Sequence, residues 1–422
     1  MDGNLLLVIP AVLAETPHGV LVDEHFGNNL GAYLASFKKV TVACPALALG
    51  RNMIALSAIP GAERCSILVL PEPYREDRFC RHYARVSRLL KDQINAADYL
   101  LISPHAAFDW STLATRIALT LGRDYNMESD WNLQSVVRNQ LSNMRFGLER
   151  LRKTLWFIVH TRYYLDSMRK ARLSLLQGAA VMEAYSAVAA NPQKVLNVQV
   201  APADRISDDA FAAKVGRVRS GAPLRIAYAG RAIAMKGPVD WQQCVEQAFV
   251  DGLEGTATWL GDGELISSLR TSAAERGISD IVTYPGDVAR DDAYAVLRDA
   301  EIFLFCHLTD ESPRCLVEAL TAGTPIVGYS SLYACDLVAE RGGGEFCTLG
   351  DWRALADLLV KFDRDRERLA KLLEAARWSS LLYDRDTAIE RRISLMREHL
   401  RPRIRTCSEF SKVSGRAKRP RF

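Results

Sequence analysis

EIFLFCHLTDESPRCLVEALTAGTPIVGY, residues 301–329, decides the fold. It opens with a short run of large apolar residues, which has the length and composition of a buried strand. HLTDESPR follows as a polar loop containing a proline. CLVEALTAG is a helix-period stretch closed by glycine, and PIVGY is a second apolar run. Strand, loop, helix, glycine turn and strand in that order form the unit from which parallel sheets are built. The rhythm extends upstream through LRIAYAG from Leu224, TATWLG from Thr256 and IVTYPG from Ile281. It also fills the first half, with LLLVIP from Leu5, KVTVAC from Lys39, CSILVLP from Cys65, YLLIS from Tyr99, SLLQG from Ser174 and VLNVQV from Val195. Two α/β domains are predicted, each a doubly wound parallel sheet.

A chain of 422 residues exceeds what one hydrophobic core usually supports, which agrees with two domains. An apolar fraction of 49% supplies both cores, and a net charge of +4 is too small to point to nucleic acid as a partner. The cysteines include no CxxC pair, and Asp2 stands where a secretory leader would carry a cation, so reduced thiols in a cytoplasmic protein are expected. No apolar run is long enough to span a bilayer; TLWFIV reads as part of a helix, and the chain can at most lie on a membrane.

Residues 1–203 form the predicted first domain, with a long helical insertion at 132–170. Residues 204–223 have the composition of a linker, 224–377 form the second domain, and 378–400 read as a helix that could cross back to the first. Residues 401–422 are a basic, disordered tail that either solubilises the protein or attracts an anionic membrane surface.

The strand LRIAYAG runs straight into GRAIAMKG, which puts Gly230, Arg231, Lys236 and Gly237 at the carboxyl edge where open parallel sheets bind ligands. Arg231 and Lys236 could cover a diphosphate with fixed positive charge; the alternative is a solvated loop with two surface cations. Three carboxylates gather in the quoted segment. Asp310 and Glu311 end the loop and Glu318 lies two turns along the helix, whose free amides near Cys315 and Leu316 could receive phosphate oxygens. The alternative makes Glu311 an ordinary first-turn acid and Glu318 a solvated helix residue.

In the first half His105 follows YLLISP at a carboxyl edge, where it either contacts substrate oxygens or caps and packs. Trp110, Tyr125 and Trp131, with Asp109 and Asp130 beside them, either stack on sugar faces or fill a satellite core. His160 reads as a packing residue, and His307 is worth testing. No HExxH motif and no Cys/His cluster indicates a metal.

Over Leu224 to Phe362 the chain resembles the retaining glycosyltransferases of family four, which have the GT-B fold. The family's Gly-Arg, spacer, Lys-Gly pattern falls at Gly230, Arg231, Lys236 and Gly237, and its Gly-acid-Gly turn at Gly261, Asp262 and Gly263. Its paired glutamates, normally eight positions apart, match Glu318 and either Asp310, at that distance, or Glu311, seven away; Glu311 keeps the family's residue type. His25 and Gly27 stand in place of the glycine-containing first loop.

The resemblance implies that Arg231 and Lys236 bind the diphosphate of a nucleotide diphosphate sugar, with Gly230, Gly261 and Gly263 beside them. Glu318 would hold the ribose hydroxyls and Glu311 the transferred sugar. It further implies a glycan or lipid-linked acceptor with no cofactor and no metal. Two rivals are a nucleotide-sugar epimerase and a degenerate sugar-nucleotide-binding protein. A dinucleotide oxidoreductase is disfavoured because the first strand leads into no glycine triplet.

Overall fold

The computed structural model describes residues 3–10, 13–17, 19–45, 53–72, 76–105, 108–130, 132–142, 144–309 and 311–400, so Trp131, Asp310 and the basic tail lie outside the described residues. The N-terminal strands are β1 (Asn4–Val8), β2 (Leu13–Thr16), β3 (Gly19–Asp23), β4 (Lys39–Pro45), β5 (Met53–Ala55), β6 (Cys65–Leu70), β7 (Tyr99–Ile102), β8 (Asn126–Ser129), β9 (Leu173–Gln177) and β10 (Pro192–Val195). Seven of them make a parallel sheet in the order β10-β9-β8-β7-β1-β4-β6, while β2, β3 and β5 form a small antiparallel sheet.

The C-terminal strands are β11 (Leu224–Ala229), β12 (Gly255–Leu260), β13 (Val282–Gly286), β14 (Ile302–Phe305), β15 (Ile326–Tyr329) and β16 (Gly344–Cys347). They pair in parallel in the order β13-β12-β11-β14-β15-β16. In each sheet the strand order reverses beside the first strand, between β1 and β7 and between β11 and β14. A crevice opens at the carboxyl ends of such a pair, because successive connections leave in opposite directions.

The C-terminal core is anchored by Trp241, on the helix Pro238–Val250, and Trp259 on β12. Both are fully buried, edge to face at 5.4 Å between ring centres. Truncating either ring would cost about 3–5 kcal/mol, since the densely packed surroundings could not close the cavity.

Two expectations about chain organisation change. The stretch read as a linker contains the helix Asp208–Arg219, started by Ser207, whose hydroxyl accepts from Ala210 N at 3.3 Å. Phe211, Val215 and Val218 of that helix are buried in the C-terminal core, which already includes Val198 and Val200. The chain therefore passes from one core to the other between Val195 and Val198. The cap signal was present at Ser207-Asp208-Asp209, but the polar composition outweighed it.

Residues 378–400 are likewise not one helix. The helix Arg366–Ser380 ends there, and Asp384 caps a new helix, Arg385–His399. That last helix inserts Ile389, Ile393 and Met396 into the N-terminal core beside the helix Glu24–Ser36, so the C-terminal end of the chain crosses back. The insertion at 132–170 forms two helices, Leu133–Ser142 and Leu148–Lys170.

Candidate functional site

The two crevices face each other across a cavity of about 1100 Å³, lined from the C-terminal domain by Arg231, Lys236, Glu311 and Glu318 and from the N-terminal domain by His25, His105 and Asp130. The cavity lies between the domains, held by contacts such as Lys194 Nζ to Asp336 Oδ1 at 2.7 Å and Ser312 Oγ to Gln177 O at 2.9 Å.

Close backbone approach builds the C-terminal wall. Gly237 has φ of 61°, and a Cβ there would lie 1.9 Å from Cys306 O, so only glycine lets the Arg231–Lys236 loop settle on the end of β14. Gly261 does the same for β12: its Cβ would lie 2.2 Å from Gly230 O.

Lys236 Nζ donates to Glu311 Oε1 at 2.6 Å, joining the two segments singled out in the sequence. Behind them Tyr228 packs tilted against Trp259, with ring centres 3.9 Å apart, and its hydroxyl lies 2.8 Å from His307 Nε2. His307 Nδ1 is 3.6 Å from Glu311 Oε1. Burial and the Lys236 ammonium hold His307 well below the usual imidazole range, and burial raises the Tyr228 phenol. A protonated phenol donating to Nε2 leaves the Nδ1 proton facing the carboxylate. The line from core to cavity is thus Tyr228, neutral His307, Glu311 and Lys236.

Glu318 lies on the helix Arg314–Thr321, and its carboxylate has no hydrogen-bond partner among the described residues. Burial raises its carboxyl, opposed by Arg314 and then Arg290. Arg231 is exposed, and its guanidinium is also without a hydrogen-bond partner among the described residues. One wall thus presents two cations at the end of β11, and the adjoining helix presents an acceptor carboxylate.

On the N-terminal side His105 Nδ1 donates to Ser103 O at 2.7 Å, which leaves Nε2 as the ring's acceptor. Its backbone N–H donates to Asp109 Oδ2 at 3.1 Å, and Asp109 caps the helix Trp110–Thr120. Burial and then Arg314 push His25 down to about 4, so that imidazole is neutral near pH 7. Next to the main cavity a smaller one of about 190 Å³ shares His105, Asp130, Gln177 and Asn197 and is walled by Glu128 and Arg392, paired at 3.2 Å.

Residues 221–378 match the family model described as glycosyl transferases group 1. The match covers the C-terminal domain. Among curated relatives, the 2-deoxystreptamine glucosyltransferase of Streptomyces kanamyceticus is 28% identical over 194 residues, 44% of this chain and 50% of that protein. The putative colanic acid biosynthesis glycosyltransferase WcaL of Escherichia coli (strain K12) is 29% identical over 162 residues, 37% of this chain and 40% of that protein. The chain thus spans half or less of the length of these relatives.

HepE from Anabaena, solved in complex with UDP-glucose, superposes with a TM-score of 0.66 at 15% identity, covering 94% of this chain and 100% of that one. WaaG, a glycosyltransferase involved in lipopolysaccharide biosynthesis, gives 0.66 at 13% identity over 93% and 99%. The fold is GT-B, with two Rossmann-like domains facing a cleft.

Within the group 1 domain, Gly230, Arg231, Lys236, Gly261, Glu311, Cys315 and Glu318 all line the cavity. Gly263 packs against the Ala232 backbone, and the Leu316 side chain faces the core. Outside that domain the sequence located less. Gly27 is on the helix Glu24–Ser36, where a Cβ would lie 2.6 Å from Ile54 Cδ1, and it borders a separate groove.

Trp110 and Tyr125 are core residues: Trp110 stacks on Phe79 at 4.5 Å, and the Tyr125 hydroxyl donates to Ser167 O at 2.5 Å. His160 is buried on its helix, against the edge of Trp156. Arg290, Arg314 and Tyr228 were missed. Arg314 was hidden as a surface-like helix residue, and only the parallel register reveals that Tyr228 reaches the site.

Proposed function

We propose that this protein transfers a glycosyl group, with retention, from a nucleotide diphosphate sugar to an acceptor hydroxyl in glycan or polysaccharide synthesis. The carrying observation is that Arg231, Lys236, Glu311 and Glu318, from two separate segments of a group 1 domain, line one cleft between two Rossmann-like domains. The sugar-nucleotide complex of HepE and the curated relatives support the same class.

Arg231 and Lys236 take the diphosphate oxygens, and Glu318 accepts from vicinal ribose hydroxyls. As the bond from the anomeric carbon to the diphosphate oxygen breaks, its electron pair stays on the diphosphate, where the two cations stabilise the growing charge. The acceptor oxygen bonds to the anomeric carbon on the same face and gives its proton to the departing diphosphate. Fixed cations do what a divalent ion would otherwise do, so neither metal nor cofactor is required. Lys236 is held by Glu311 before donor binds, which positions both groups beside the sugar. The acceptor enters over His105 and Asp130 and seats in the small cavity walled by Glu128 and Arg392, whose mixed charges suit a hydroxyl-rich group. The reaction is assigned to the cytoplasm, where the thiols stay reduced.

Release of nucleoside diphosphate from a panel of nucleotide sugars tests this. Turnover with at least one donor that Lys236→Ala and Glu318→Ala lose supports the reading. Binding of a nucleotide sugar with no turnover for any acceptor would favour a degenerate binding protein, and interconversion of the sugar without acceptor would favour an epimerase.

A further inference from the structure

The helix Leu148–Lys170 carries the largest concentration of exposed apolar side chains among the described residues. Leu148, Leu151, Leu155, Ile158 and Val159, with Phe146 just ahead of the helix, are exposed by 45% (Val159) to 91% (Phe146). At 3.6 residues per turn the helical five fall within an arc of roughly 100°. The residues this helix buries, His160, Tyr164, Ser167 and Met168, lie on nearly the opposite side. The stripe therefore points away from the body of the domain, and the fold leaves it uncovered. Folding would gain nothing from five large apolar residues placed there, so the face is arranged for something outside the chain.

Charge selects the occupant. The segment 145–162 carries Arg145, Arg150, Arg152, Lys153 and Arg162, with Glu149 its lone acid. Arg162 and Arg169 project within the arc and Arg152 borders it, while the acid inside it, Asp166, is paired with Lys170 at 2.9 Å. An apolar stripe edged by cations fits a bilayer surface carrying anionic phospholipid: the stripe enters the acyl boundary and the cations meet headgroup phosphates. A protein partner needs no such excess of one sign.

We infer that this helix docks the protein on an anionic membrane, with Leu151, Leu155 and Ile158 as the inserted residues. The neighbouring helix Leu133–Ser142 connects this face to the cleft, since its Val136 and Gln140 line the large cavity. Docking brings the N-terminal side of the cleft to headgroup level, where an acceptor held on a lipid would be presented. That last consequence rests on the glycosyl-transfer reading, whereas the docking itself does not.

Flotation of the full chain with vesicles of phosphatidylcholine alone, or with added phosphatidylglycerol, tests it. The expected result is flotation only with the anionic vesicles, weakened by salt. Leu151→Asn/Leu155→Asn/Ile158→Asn and Arg152→Glu/Arg162→Glu should each lower the partition coefficient at least tenfold, with unchanged circular dichroism and unchanged nucleoside diphosphate affinity. Three outcomes would overturn the inference: no flotation of the wild type, flotation retained by both variants, or a concentration-dependent dimer in sedimentation that the apolar variant abolishes. Loss of nucleotide affinity in every form, with vesicle binding intact, would count against the reaction and not against the docking face.

Discussion

The two halves of this molecule have the same sheet plan yet build their sides of the cleft differently. In the C-terminal domain the lining residues come in runs, 228–236, 260–261, 287–297 and 311–318, each at or just beyond the carboxyl end of one of the strands β11 to β14. In the N-terminal domain they come one or two at a time, from His25, His105, Asp130, the helix carrying Val136 and Gln140, Gln177 and Asn197, and Arg392 reaches the smaller cavity from near the far end of the chain. A site made of segments fixes its ligand contacts through backbone geometry, which a sequence records as glycines and fixed spacings. A site made of single residues records almost nothing locally, and its composition is free to follow the acceptor.

If the asymmetry is functional, Lys236→Ala should be the most damaging single change, lowering kcat/KM by about a hundredfold or more (about 3 kcal/mol) with an unaltered melting temperature. His105→Ala on the opposite wall should cost only about tenfold, as expected for one replaceable contact. Steady-state kinetics on both variants would break the comparison if the order were reversed.

Two glycines sharpen it at the level of backbone. Gly237 and Gly122 have nearly the same φ, 61° and 62°, but a Cβ at Gly237 would collide with Cys306 O, whereas Gly122 has nothing within 4 Å. Gly122→Ala should cost about 1 kcal/mol from the left-handed backbone alone. Gly237→Ala should cost about 2 kcal/mol beyond that, because the site loop must lift off β14. Chemical denaturation midpoints measure both.

The smaller effects depend on pH. Lys214, fully buried, donates to Thr324 Oγ1 at 2.6 Å and to Ala322 O at 3.3 Å, past the end of the helix that carries Glu318. Burial lowers it to about 7. Between that value and the ordinary lysine range the unfolded chain binds the extra proton, so stability relative to Lys214→Met should rise with pH above 7. Nucleoside diphosphate affinity should fall on acidification at a higher pH than for an ordinary carboxylate, because Glu318 must be ionised to accept hydroxyls and burial raises it. Urea melts and calorimetric titrations across pH measure these slopes.

The asymmetry also explains what could be read in advance. The eleven apolar runs named from the sequence all fall on or beside observed strands, because buried parallel strands need continuous apolar residues. Four-residue NMES (β8) and GEFC (β16), and the antiparallel sheet of β2, β3 and β5, lack that signature and were missed. Arg231 and Lys236 were legible from their place at a strand end, and Glu318 only through the resemblance to a family pattern. Arg290, Arg314 and Arg392 were not, since an arginine on a helix reads as solvated until the fold shows what it faces. The same holds in reverse for Trp110 and Tyr125, which only tertiary packing assigns to the core.

In the proposed reaction Arg231 and Lys236 read a diphosphate at the end of β11. Calorimetric titration of the four nucleoside diphosphates and their monophosphates, against wild type and Lys236→Ala, tests it most directly. The predicted result is one diphosphate bound at least tenfold more tightly than its monophosphate, with the preference abolished in the variant. Equal affinities in the wild type, or a preference that survives the substitution, would contradict it.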